Sequence, residues 1–103
     1  MEAATITLEG VITPLDHIPS LSEMQAVVGG LIAPVVGPHG DTVYVNDEGL
    51  LLGMQRNFGA DLLAMSRGPL VGDAVICGPL DEEGNHKALS PKAAEFITRL
   101  LED

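Results

Sequence analysis

The first 55 residues contain no lysine or arginine; the five bases of the 103-residue chain are Arg56, Arg67, Lys87, Lys92 and Arg99. Seven acids lie in that base-free stretch, net −7, against eight acids and five bases afterwards, net −3, for a total of −10. A field of one negative sign repels polyphosphate, so direct binding to DNA or RNA is excluded as an expectation, and any partner recognised by charge should carry a basic surface. Tryptophan is absent, with one Tyr and two Phe, which removes the stacking platforms that RNA-binding modules use. The single cysteine, Cys77, cannot form an internal disulfide and sets no demand for an oxidising compartment. The N-terminus MEAATITLEG has neither the basic nor the long apolar segment of a secretory signal. The uncharged stretch Met24 to His39 is interrupted by glycines and prolines and is too short to cross a bilayer. The expectation is a cytoplasmic protein with no membrane segment.

What the chain does have is enough apolar residue, 46%, to build one core of Val, Leu, Ile, Ala and Met, at a length usual for one domain. Thr5–Ile12 (TITLEGVI) reads as a first strand with an irregularity at Gly10. Ser20 to Glu23 (SLSE) is a capping box, and Leu21, Met24, Val27 and Val28 follow on one helical face before Gly29 and Gly30. LIAPVVG is a strand whose Pro34 confines it to an edge or a bulge. Thr42 to Val45 begins another, and Asn46, Asp47, Glu48 and Gly49 have the order of a hairpin turn returning through Leu50–Leu52, with Gly49 at positive φ and Asn46 bonding its own backbone two residues on. Asn57 can cap a short helix holding Leu62, Leu63 and Met65. PLVGDAVICG is a buried strand bent at Gly72 and Asp73, and DEEGN is a turn. Ser90 and Pro91 open a C-terminal helix with Ala93, Ile97, Leu100 and Leu101 on one face. The predicted architecture for residues 1–103 is a single α+β domain. It has a mostly antiparallel sheet of four to five short strands, two or three helices, and a helix layer on one face.

Chemistry is sparse. Cys77 lies in AVICG and reads as a small buried hydrophobe rather than a nucleophile. His17, His39 and His86 lie in separate polar turns and, with no H-x-x-x-H, H-E-x-x-H or CxxC spacing, read as surface-loop residues and give no zinc site. The NDEG turn lacks the alternating oxygen ligands of a calcium loop. The glycine clusters match neither GxxxxGK[ST] nor GxGxxG. Neither a catalytic residue, a metal nor a cofactor is expected. The polar residues at turn tips and bends, Asn46, Asp47, Glu48, Asn57 and Asp73, are expected near one end of the sheet, and with Asp41 and Tyr44 they form the candidate interaction set.

The segments VVGGLI, VYVNDEGLLLG, RN followed by A, and LVGDAVICGP, in this order between Thr5 and Gly84, resemble a family of small proteins of unknown function. That family is common on phage and plasmid genomes, especially those of actinobacteria. The resemblance implies an α+β setting and a mobile-element origin, and it carries over no catalytic residue; the C-terminal helix from Ser90 lies outside it. The reading that results is a non-enzymatic protein that binds a host or defence protein through its acidic half. The alternatives are a nucleic-acid mimic that blocks a DNA-binding enzyme, and a small-ligand protein or enzyme with a cleft at Tyr44, Asn46, Asn57 and Asp73.

Overall fold

The computed structural model describes residues 1–65 and 69–102. Among these, β1 (Ala3–Ile6), β2 (Ile12–Leu15), α1 (Leu21–Val28), β3 (Ile32–Val36), β4 (Thr42–Asn46), α2 (Phe58–Ala64), β5 (Ala74–Cys77) and α3 (Pro91–Glu102) build a small α+β domain. The five strands form one sheet in the order β2-β1-β5-β4-β3, with every neighbouring pair antiparallel.

The alternation of side chains along each strand divides the core in two. Ala4, Ile6, Val43, Val45, Ala74 and Ile76 share one face, against which α2 packs Ala60 and Ala64 and α3 packs Ala93 and Ile97. Ala3, Val75 and Cys77 point the other way and are covered by Met24 of α1, with Val27, Ile32 and Tyr44 around them. Helices therefore cover both faces, not one. The chain needs this because β5 is buried at all four positions, leaving no solvated face at the centre of the sheet. On α2 and α3 the buried residues are mostly alanine, which lets the helices approach the sheet closely. Leu62 and Met65, and Leu100 and Leu101, which share a helical face with the buried Ala93 and Ile97, are exposed.

Local signals were reliable where one turn of chain carries them. Ser20 caps α1 in a complete capping box: the Glu23 N–H donates to Ser20 Oγ at 3.1 Å, and the Ser20 N–H donates to Glu23 Oε1 at 3.0 Å. Gly29 closes α1 in the left-handed region. The expected strand Thr5–Ile12 is instead a hairpin. The Thr7 N–H donates to the Val11 carbonyl at 3.0 Å, and Gly10 adopts φ 84°, so its irregularity is a full reversal that makes two strands of one.

Pro34 lies on an edge strand as its chemistry requires, and Pro14 does the same on the opposite edge. On β3, the Asp47 N–H donates to Leu31 O and the Gly37 N–H to Asp41 O, both at 2.8 Å, which makes the alternate residues Ile32, Pro34 and Val36 turn their backbone groups outward. The bond from Thr7 to Val11 has the same consequence for Ile12 and Pro14 on β2. Each free edge thus has a proline at a position where the missing N–H faces out, which blunts pairing with an added strand.

Leu50–Leu52 do not return as a strand. Both sides of β4 are already paired, to β3 and to β5, so no ladder is open to them. The chain winds instead: Gly49 N–H donates to Asn46 O, Leu52 N–H to Glu48 O, Gly53 N–H to Leu50 O and Met54 N–H to Gly49 O. Gly49 is not at positive φ; what it lacks room for is a side chain, since a Cβ there would sit 2.7 Å from Val71 Cγ2.

Candidate functional site

Asn46, Asp47, Glu48, Asn57 and Asp73 lie toward one end of the sheet, where β4 finishes, β5 begins and the β1–β2 hairpin turns. Most of them are occupied internally. Asn57 is 1% exposed, and its side chain makes three hydrogen bonds: Oδ1 accepts from the Ala60 N–H, capping α2, while Nδ2 donates to Ile6 O at 3.0 Å and Gly72 O at 2.9 Å. One amide thereby ties α2 to β1 and to the residues leading into β5. Asn46 Nδ2 donates to Val28 O, fastening the end of α1, and its Oδ1 accepts from the Glu48 N–H in the expected turn. Asp73 accepts from the Leu8 N–H and steadies the β1–β2 hairpin.

Asp41 and Tyr44 are directed elsewhere. Asp41 is 4% exposed near the other end of β4, where its carboxylate accepts from the Ser90 N–H at 2.8 Å and from Ser90 Oγ at 2.5 Å. This places a negative charge at the N-terminus of α3, where unpaired N–H groups and the helix dipole favour it. Tyr44 lies on the α1-covered face. His86 Nδ1 is 2.6 Å from the Gly78 carbonyl, which can only accept, so Nδ1 carries a proton; Nε2 is hydrogen-bonded to Tyr44 OH, also at 2.6 Å. His86 is thus a half-buried strut, not the free surface residue expected, and it holds the segment between β5 and α3 against the sheet. Burial raises the Tyr44 hydroxyl pKa, and burial pushes the Cys77 thiol up to about 11, so Cys77 is an uncharged core residue at neutral pH. His17 stays on the surface with Asp16 and Glu23; its pKa is raised first by the hydrogen bond to Glu23 and then by that to Asp16.

Among the described residues, two of the seven candidates, Asp47 and Glu48, are exposed, and they adjoin Leu50–Leu52, which were expected to return as the second strand of a hairpin. Leu50, Leu51 and Leu52 are 70%, 86% and 61% exposed. Beside them opens a groove of about 430 Å³ whose apolar lining includes Ala33, Val45, Leu50, Leu51, Leu70 and Val71, with Asp47 on its rim. It is a corner of the sheet face that α2 and α3 leave uncovered. A signal for it existed in the sequence: three successive leucines cannot alternate in and out of a half-buried strand, and an apolar run on a surface turn is out of place unless something covers it. A second groove, about 240 Å³, lies between α2 and α3 and includes Leu62, Met65, Lys92 and Phe96. Among the described residues no group of three or more His, Cys, Asp or Glu is placed to hold a metal ion, and no helix is long and apolar enough to cross a membrane.

A domain with this sheet, these two helix layers and an exposed acidic and leucine-rich turn belongs to a family described as a domain of unknown function, DUF3846, whose pattern matches residues 3–102. The match runs through α3, so the C-terminal helix is part of the family pattern, beyond the segments that carried the resemblance. No curated protein and no solved structure matches the chain.

Proposed function

We propose that residues 1–103 act as one non-enzymatic binding unit, of phage or mobile-element type, that engages and modulates a host or defence protein in the cytoplasm through the Asp47–Leu52 turn and its groove. The observation that carries this reading is the exposure of three consecutive leucines beside two solvated acids, next to an apolar groove that the described residues do not fill. Apolar side chains at the centre of a patch with charged residues at its margin are the composition of a protein interface. Asp47 and Glu48, within the base-free half, would steer a partner with a basic surface and raise its association rate. Two of the seven acids in that half are engaged by the fold: Asp41 is buried on Ser90, and Glu23 is bound into the capping box. This weakens the alternative of a nucleic-acid mimic, which needs a regular exposed row of charge. The cleft proposed for a small ligand loses Asn57 in the same way, since its amide is consumed inside.

The test is affinity capture from host lysate with the wild-type chain and with Leu51→Asp, identified by mass spectrometry. Leu51→Asp should lose the captured protein while its denaturation midpoint stays within the equivalent of about 0.5 kcal/mol of wild type, as for other exposed positions. Retention of the same partner by the folded variant would remove the turn from the interface.

A further inference from the structure

The groove beside Leu50–Leu52 has features that select among the ways a protein segment can dock. Its floor belongs to the edge of the sheet, with Ala33 on β3 and Val45 on β4. An extended peptide would dock there by adding a strand to β3, using outward backbone groups. That route is blunted, because the outward positions of β3 are Ile32, Pro34 and Val36, and the central one has no N–H to offer. Recognition is left to side chains. A groove of about 430 Å³ accommodates a few apolar anchors, and an amphipathic helix presents such anchors at intervals of three and four residues without needing a backbone partner. Charge narrows the choice further. Asp47 is exposed at the rim with the exposed Glu48 next to it in the chain, and the described lining residues include no base. A helix with acids flanking its apolar stripe would be repelled, and one with lysine or arginine there would be matched.

We infer that the groove formed by β3, β4 and the Leu50–Leu52 turn receives the apolar face of a basic amphipathic helix from a protein partner, held by side chains and not by strand addition. The inference rests on the binding reading above and names the partner's chemistry at that site.

The probe is a synthetic leucine/lysine peptide of about 14 residues, four helical turns, with leucines at helical spacing. Two controls accompany it: the same leucines with glutamate, and a leucine/lysine peptide alternating with period two. Titrated into the isotope-labelled full chain and followed by NMR, the helical leucine/lysine peptide should shift the amides of Ala33, Val45, Leu50 and Leu51 and gain helicity on binding. Leu51→Asp should weaken it by about tenfold or more, as expected for loss of a central anchor. Asp47→Lys combined with Glu48→Lys should weaken it and flatten its salt dependence. Equal binding of the glutamate peptide or of the period-two peptide would overturn the inference, as would shifts confined to the groove between α2 and α3 or to Asp81, Glu82 and Glu83. If the peptide fails while capture from lysate still depends on Leu51, the basic-helix partner falls and the binding reading stands. If capture is also indifferent to Leu51, both fall.

Discussion

Asn57 and Leu51 lie on the same connection between β4 and β5, and their polarity is inverted with respect to exposure: the amide is 1% exposed and the leucine 86%. The difference separates architecture from surface. Every side-chain polar atom of Asn57 is hydrogen-bonded within the chain, to three segments at once, and no buried side-chain nitrogen or oxygen among the described residues lacks a partner. A buried polar group so completely satisfied explains itself as part of the fold. The exposed leucines have no such account, because the ladder that could have used them is closed on both sides by β3 and β5. What is polar and inside holds the fold; the leucines outside are not explained by it.

The sharpest way to break this contrast is Asn57→Ala. It leaves the Ile6 and Gly72 carbonyls without their partner and removes the α2 cap, so it should destabilise by about 3 kcal/mol or more. A denaturation midpoint near that of wild type would show that water or a neighbouring group replaces the amide and that Asn57 is free to serve a site. A smaller effect is expected at Ser20→Ala, which removes the hydroxyl half of an exposed capping box and should cost about 0.5 to 2 kcal/mol without changing partner capture. An unchanged midpoint there would reject the cap as a source of α1 stability; a loss of capture would extend the interface to the far side of the sheet. The smallest change in stability is expected at Leu51→Asp, and that variant should also show the largest loss of binding.

How much of this was legible in the sequence depended on the reach of each interaction. The box at Ser20 spans three residues, and the Asx turn at Asn46 spans two, so both were read correctly from residue order. Asn57 was legible as a cap for the same reason, but its bonds to Ile6 and Gly72 cross 51 and 15 positions, and nothing local announces them. The hold of Asp41 on Ser90 crosses 49 positions and turned a candidate surface acid into a buried anchor. His86 likewise meets Tyr44 across 42 positions. Leu50–Leu52 failed in the opposite direction. Their composition suits a strand, and only knowledge that β4 already has two neighbours shows that no strand can form there. Pro34 predicted its own edge correctly because a missing N–H is a property of the residue. The proposed surface was half visible: Asp47 and Glu48 were read as turn residues and are exposed, whereas the exposed leucines beside them were read as a returning strand.

The central claim is that the leucine turn, not the α2–α3 groove, meets the partner. Its most direct test is site-specific photo-crosslinking in the producing host, with the photoreactive residue placed at position 51 in one experiment and at position 62 in another. The account predicts a discrete protein adduct from position 51, suppressed by excess wild-type chain but not by Leu51→Asp, and none from position 62. An adduct from position 62 with none from position 51 would contradict it and move the interface to the groove between α2 and α3.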